Sequence, residues 1–152
     1  MISAAVIDYL KKGIFTILGL MLAVYLFIIL VTYTGNDPSW SHISSDMTTI
    51  NNMGGATGAW LSDLLYSFFG YSAWWLLVFM VYESILIWWN NKPTFWILRL
   101  VAYVFLLLSA SALFAQLIAL IQQVADPVTS GLKGVAGGII GLELQARLAL
   151  LL

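Results

Sequence analysis

The sequence predicts an all-α integral membrane protein: a helical bundle of three complete transmembrane helices and the start of a fourth, with an outer loop and an interfacial helix. Of its 152 residues, 62% are hydrophobic and 9% are charged. Soluble domains average about 45–50% apolar and about 25% charged residues. Uncharged apolar runs also recur along the chain, each near the ~20 residues that a spanning helix needs. These observations exclude an ordinary soluble domain and a disordered chain.

The charge balance and the rare residue types exclude several functions. Six Lys and Arg stand against seven Asp and Glu, so the chain lacks the basic excess with which proteins hold DNA. We therefore expect no direct nucleic-acid contact by this segment. The chain has no cysteine and a single histidine, His42, whose spacing from Asp37 and Asp46 matches no metal-ligand motif. The sequence predicts no catalytic, cofactor-binding or metal site.

The first predicted transmembrane helix covers residues 13–33. No charged residue lies between Lys12 and Asp37, and the turn-forming sequence GNDP at 35–38 ends the run. A secretory signal peptide is the alternative, but its apolar region is about 7–15 residues long and precedes a cleavage site with small residues. The run here is longer and no such site follows it. We therefore expect a retained helix.

Residues 34–69 are predicted to form an outer loop and an interfacial helix. Asn, Asp, Ser, Thr and Gly dominate 35–55 without periodicity, as in a loop. Residues 56–69 have helical periodicity, which predicts an amphipathic helix at the outer interface or an outward extension of the second transmembrane helix. The predicted apolar face holds Leu61, Leu64, Leu65 and Phe68, and the predicted water-facing side holds Ser62, Asp63, Tyr66 and Ser67.

The rest of the sequence predicts a helical hairpin and the beginning of a further helix, within one membrane domain. The chain ends on an apolar run without a helix stop signal. We expect a truncated fourth helix there; the alternative is a complete small protein whose last segment lies on the membrane surface. The predicted segments are transmembrane helix two at 70–89, a cytoplasmic turn at 90–95, transmembrane helix three at 96–123, an outer loop at 124–134 and the start of the fourth segment at 135–152.

The distribution of Lys and Arg predicts the orientation in the membrane. Lys11 and Lys12 precede the first predicted helix, Lys92 lies in the 90–95 turn, and Arg99 follows that turn. Residues 34–69 contain no Lys or Arg. Because basic residues concentrate on the cytoplasmic side, we expect the N-terminus and the turn to be cytoplasmic. The sequence thus predicts a multi-pass membrane protein with a cytoplasmic N-terminus.

Glu83 and Arg99 are the candidate intramembrane ion pair. In an antiparallel hairpin that turns near Asn91, each lies eight positions from the turn and both reach the same depth. A carboxylate inside a membrane-spanning helix is costly and is usually paired. The alternative is that each side chain extends separately to the inner interface.

Small residues on the third helix predict close helix packing. Ser111, Ala115 and Ala119 recur at a spacing of four, and Gly134 and Gly138 repeat this spacing before the fourth segment. Small residues allow helices to approach closely in lipid. The contact can form within one bundle or between subunits of a homo-oligomer, and the sequence does not choose between them.

The outer segment carries a resemblance to a known family. Its motifs are DPSWS at 37–41, NMGG at 52–55, GAWLSDLL at 58–65 and FFG at 68–70. In order, spacing and position between the first two helices, they resemble the N-terminal four-helix membrane domain of the FtsK family of bacterial DNA translocases. The GGIIG at 137–141 is similar to the glycine-rich approach to the fourth helix of that family.

The resemblance implies a multi-pass anchor in the bacterial inner membrane that acts in cell division and chromosome partition. Family members tether a cytoplasmic ATPase motor at the division septum and contact division-site membrane proteins. This sequence contains no phosphate-binding GxxxxGK[S/T] loop, so the resemblance does not imply that this segment hydrolyses ATP. The candidate outer partner surface is Asp37, Trp40, Trp60 and Asp63. The alternative function is a small stand-alone membrane transporter or channel subunit.

Overall fold

A computed structural model describes residues 3–41, 49–89, 95–124 and 137–151. Every regular element within these ranges is helical, and three stretches are long and apolar enough to cross a membrane: Ala4–Val31, Gly55–Trp89 and Trp96–Ile121. The predicted all-α membrane bundle is therefore confirmed. In chain order the helices are α1 (Ala4–Val31), α2 (Gly55–Phe69), a 3-10 turn (Gly70–Ala73), α3 (Trp74–Trp89), α4 (Trp96–Val124) and α5 (Gly138–Leu151).

Helix α1 begins at Ala4, well before the predicted start at residue 13. The Ser3 side chain caps it by accepting a hydrogen bond from the Val6 amide at 3.4 Å. Within this added length, Lys12 Nζ lies 3.7 Å from Asp8 Oδ2, one helical turn away. Charged residues end the apolar run but not the helix, since an i,i+4 ion pair is compatible with helical geometry.

Helices α1 and α3 pack antiparallel along their length. The Trp88 indole N–H donates to Thr16 Oγ1 at 2.8 Å, and at the other end the rings of Phe27 and Trp74 lie 6.0 Å apart. Between them, Gly19 lies against Ser84 with no room for a side chain. The absence of a Cβ at Gly19 permits this close approach.

Helix α2 crosses the C-terminal end of α1. Gly54 and Gly58 lie against Ile29, and the Tyr66 hydroxyl donates to the Leu30 carbonyl at 3.2 Å. About three turns of α2 therefore meet about one turn of α1. Gly70 follows α2 and begins the 3-10 turn that leads to α3. Its φ of 58° and ψ of −140° form a backbone conformation that residues other than glycine rarely adopt.

The predicted water-facing side of α2 is wrong. Ser62, Asp63 and Tyr66 are buried, whereas Trp60 is exposed. The polar side chains face the loop and the end of α1, which supply hydrogen-bond partners. Helical periodicity separates two faces but does not tell which one is covered, because lipid also accepts an apolar face.

Helix α5 packs against α4 through the predicted small residues. Ser111 and Ala115 are buried and Ala119 is half-buried. A Cβ at Gly137 would lie 2.8 Å from Ala115 Cβ, and one at Gly141 would lie 2.8 Å from Ser111 Oγ. The Ser111 hydroxyl also donates to the Gly137 carbonyl. Gly138, with φ 62°, lies against the backbone of Phe68.

Several predicted segments fall outside the described residues. These are His42, Gly134, residues 90–94 of the predicted 90–95 turn, residues 125–134 of the predicted 124–134 loop, and residues 135–136 of the predicted fourth segment.

Candidate functional site

A network of buried polar groups covers the C-terminal end of α1. We call it the cap and define it as residues 32–41 and 49–66. Two carboxylates, those of Asp37 and Asp63, are each 1% exposed within it. Carboxylates are almost never fully buried unless their oxygens are paired or hydrogen-bonded. The partners of these two groups therefore explain how the cap is built.

Asp37 holds the second part of the loop. Its Oδ1 accepts hydrogen bonds from the Asn51 amide at 2.9 Å and from Asn51 Nδ2 at 3.0 Å, and its Oδ2 accepts from the Asn52 amide at 2.8 Å. Burial by itself raises the pKa of Asp37, but the hydrogen bonds from Asn51 and Asn52 hold it below the ordinary 3.8. The charged form is thus the one that fits the site.

Asn52 joins the loop to both helices. Its Nδ2 donates to the Ile29 carbonyl at 2.9 Å and to Ser62 Oγ at 3.2 Å, and its Oδ1 accepts from the Gly54 amide at 2.9 Å. The last carbonyls of a helix lack partners within the helix, so the side chain of Asn52 caps α1. A Cβ at Gly58 would lie 2.6 Å from Asn52 Oδ1, which ties this position to glycine.

Asp63, which lies on α2, fixes the first part of the loop. It accepts the Ser41 amide at 2.7 Å, the Ser41 hydroxyl at 3.0 Å and the Tyr33 hydroxyl at 3.0 Å. Burial, the hydrogen bond to Asp63 and the charge of that carboxylate raise the pKa of Tyr33 to about 12. Both acidic residues of the cap are therefore structural centres whose charge is satisfied by N–H and O–H donors.

The structure divides the predicted partner surface into two classes. Asp37 and Asp63 are buried, so their carboxylates are not available to a partner. These carboxylates accept the hydrogen bonds that order the loop, so the loop and α2 cover them. Trp40 and Trp60 are 46% and 48% exposed. The Trp40 ring also packs on Phe68, with centroids 5.4 Å apart. The exposed part of the predicted surface is aromatic.

Glu83 and Arg99 meet at the opposite end of the bundle. Arg99 Nη2 lies 3.4 Å from Glu83 Oε2, and the Tyr103 hydroxyl donates to Glu83 Oε1 at 2.6 Å. The Tyr103 ring stacks on Phe79 with centroids 4.4 Å apart, which brings α4 against α3. The sequence spacing placed Glu83 and Arg99 at one depth, but it gave no signal for Tyr103, one turn further along α4.

The described residues hold no group of three or more His, Asp or Glu that could bind a metal ion. In the cap, the carboxylates of Asp37 and Asp63 and the side-chain amide of Asn52 have hydrogen-bond partners, an arrangement that serves structure.

Comparison with known proteins identifies the family. A family model described as the 4TM region of DNA translocase FtsK/SpoIIIE matches residues 9–152. The chain belongs to this family. The predicted resemblance is therefore confirmed, and it covers nearly the whole chain.

Curated relatives of this FtsK-type chain are much longer proteins. DNA translocase FtsK of Pseudomonas syringae pv. syringae is 32% identical over 143 residues, which cover 87% of this chain and 16% of the relative. That of Pseudomonas aeruginosa is 37% identical over 115 residues, covering 68% and 13%. DNA translocase FtsK 1 of Neisseria meningitidis serogroup A is 42% identical over 59 residues, covering 39% and 7%. No solved structure matches the chain.

The chain thus spans about a sixth of the relatives that it matches most fully. Together with its three apolar helices, the match makes this FtsK-type chain a membrane-anchoring domain of a multi-pass inner-membrane protein. Cell division and DNA translocation are the processes associated with its family.

Proposed function

We propose that this chain tethers a cytoplasmic, ATP-driven DNA motor at the division septum and contacts division-site membrane proteins. The observation that carries the proposal is the match of residues 9–152 to the 4TM region of FtsK/SpoIIIE, in relatives named DNA translocases. The chain itself would supply anchoring and contacts, and the motor would supply ATP hydrolysis and DNA movement.

The cap is the part of the chain suited to bind a partner. The hydrogen bonds that Asp37 and Asp63 accept, together with those that Asn52 donates, fix the loop, so the exposed rings of Trp40 and Trp60 are presented on an ordered surface. Tryptophan is enriched at the centres of protein interfaces, and a preordered surface loses less entropy on binding. We propose Trp40 and Trp60 as the contact residues on the non-cytoplasmic side.

The test places Trp40→Ala and Trp60→Ala, singly and together, in the full-length gene of the host, tagged with a fluorescent protein. We expect septal fluorescence to fall while the amount of protein in the membrane stays constant, because truncating an interface tryptophan removes about 2 kcal/mol or more of binding free energy. The matched control is Trp89→Ala, which is 83% exposed at the opposite end of the bundle and should leave septal fluorescence unchanged.

Two outcomes would contradict the proposal at different levels. If the chain without any motor never reaches the septum in cells that retain the native protein, then this domain does not carry the septal contact. If it does reach the septum but the double Trp variant localises normally, then the contact lies elsewhere on the domain. Self-association, one of the two alternatives that the small residues of the third helix leave open, is tested in parallel by co-purifying two differently tagged copies.

A further inference from the structure

A groove lies between α1, α3 and α4, next to the Glu83–Arg99 pair. It has a volume of about 390 Å³ and is open at the surface of the bundle. Apolar side chains supply most of its wall, among them Phe15, Met80, Ile87 and Leu100. Because these helices are membrane-spanning, an open apolar groove on their surface faces lipid chains rather than water.

The middle of the groove carries one acid and one base, since its wall extends from Phe79 to Ile87 on α3 and from Trp96 to Tyr103 on α4. The Glu83 and Arg99 side chains are 37% and 28% exposed, so both remain accessible from the groove. Their separation, 3.4 Å between Oε2 and Nη2, exceeds the 2.7–2.9 Å of a tight charge-assisted bond. Arg99 Nε is buried and has no hydrogen-bond partner among the described residues. Within the described residues, the guanidinium therefore has one N–H, that of Nε, without an acceptor.

The pair lies inside the membrane, within two helical turns of exposed tryptophans. Arg99 is three residues after Trp96, or about 4.5 Å along the helix axis, and Glu83 is six residues before Trp89, or about 9 Å. Trp89 and Trp96 are exposed and mark the membrane–water interface. The long side chain of Arg99 therefore reaches toward the phosphates of the lipids, and the rest of the groove faces acyl chains.

We propose that this groove binds one phosphatidylethanolamine molecule. Arg99 donates to the phosphate, Glu83 accepts from the ammonium group, and an acyl chain lies along the apolar wall. The charges argue for this headgroup: a neighbouring acid and base match a headgroup that carries both charges and no net charge. A headgroup with a phosphate alone would place its negative charge beside Glu83.

The proposal predicts a specific order among phospholipids. Phosphatidylcholine has the same charges, but its quaternary ammonium has no N–H to donate to Glu83. Phosphatidylglycerol has the phosphate and no cation. Both should bind more weakly than phosphatidylethanolamine, by about tenfold or more, since each lacks a hydrogen bond from a charged ammonium group to Glu83.

The experiment is native mass spectrometry of the purified, delipidated chain in detergent. It receives an equimolar mixture of phosphatidylethanolamine, phosphatidylcholine and phosphatidylglycerol with identical acyl chains. We expect one retained lipid, with phosphatidylethanolamine preferred by about tenfold. Glu83→Gln should abolish the preference, and Arg99→Gln should weaken retention of all three lipids. The matched control Glu143→Gln breaks the exposed 2.9 Å pair with Arg147 on α5 and should leave the preference intact.

Equal retention of the three lipids by the unaltered chain would overturn the proposal, and this comparison needs no variant that might misfold. A preference that survives in Glu83→Gln would also overturn it. Glycerophosphoethanolamine, which has the headgroup without acyl chains, should not displace the lipid; full displacement would show that the groove does not hold a chain. None of these measurements depends on septal localisation. The proposed lipid site and the proposed anchoring function can therefore be refuted separately.

Discussion

At the residue scale, the molecule uses acidic side chains for two different purposes. Asp37 and Asp63 are buried and accept hydrogen bonds from amides and hydroxyls, with no cation bridging either of them in the described part of the chain. Glu83 instead pairs with Arg99 across two helices. The first arrangement fixes a loop, and the second leaves charged groups accessible in a groove.

Asp37→Asn should destabilise the cap in a pH-dependent way. An amide cannot accept all the donors that face the carboxylate, so at neutral pH we expect a loss of about 1–3 kcal/mol in the free energy of unfolding. The pKa of Asp37 is lowered from 3.8, so its contribution is present above pH 3.8 and is lost as the pH falls through the folded value. The difference between the two proteins should therefore shrink in acid.

Melting temperatures in detergent, taken from about pH 7 down to about pH 2.5, measure this difference. The matched control is Asp8→Asn, which removes an exposed i,i+4 pair with Lys12 and should change stability by about 0.5 kcal/mol or less. A difference between Asp37→Asn and the unaltered chain that stays constant over the whole range would contradict the role of the charged form.

The surroundings of Glu83 were predictable from the sequence, whereas those of Asp37 and Asp63 were not. The spacing about Asn91 set Glu83 and Arg99 at one depth, because a helical hairpin has regular geometry. The burial of Asp37 and Asp63 had no comparable signal. Their partners lie in an irregular loop, where the path of the backbone is not set by a repeating spacing, and aspartate is usually exposed.

At the element scale, glycines decide which helices touch. Gly141 lies in the interior of α5 against Ser111 of α4, whereas Gly13 in the interior of α1 has no atom within 4 Å of the position a Cβ would take. The same substitution at the two sites therefore tests packing separately from helix propensity.

Gly141→Ala should destabilise the chain and Gly13→Ala should not. Alanine is favoured over glycine inside a helix by about 1 kcal/mol, so Gly13→Ala is expected to be neutral or stabilising. At Gly141 the new Cβ would meet the Ser111 side chain at 2.8 Å, and overpacking of this kind costs about 1–3 kcal/mol. Thermal unfolding in detergent compares the two variants, and a stabilised Gly141→Ala would contradict the close contact of α4 and α5.

Element boundaries followed from the sequence where turn formers coincide with the end of an apolar run. The predicted third transmembrane helix, 96–123, differs by one residue from α4, Trp96–Val124. The orientation of α2 did not follow. Its two faces were separable by periodicity, but whether lipid or protein covers the apolar face depends on how the helix lies, and the crossing over α1 is a tertiary contact.

At the scale of the whole molecule, the arrangement of basic residues sets a testable topology. We expect the cap and the α3–α4 turn on opposite sides of the membrane, with the N-terminus cytoplasmic, because Lys11, Lys12 and Arg99 lie at one end and residues 34–69 contain no basic residue. The chain has no cysteine, so a single introduced thiol reports its own location.

Thr49→Cys, on the exposed part of the cap, should react with a membrane-impermeant maleimide in intact spheroplasts. Ala5→Cys, in the first turns of α1, should react only after the membrane is permeabilised. The cysteine-free parent is the matched control and should remain unlabelled. Labelling of Ala5→Cys in intact spheroplasts, with Thr49→Cys protected, would invert the proposed topology.

The local character of the cap also bears on how the protein is made. Among the described residues, its polar contacts join residues between Ile28 and Trp74, so no group from α4 or α5 is required to complete them. Ribosomes add about 5–20 residues per second, which leaves about 3–10 s between synthesis of Trp74 and the end of α4 at Val124. The first two helices and their cap can thus close as an inserted unit before the second half of the chain enters the bilayer.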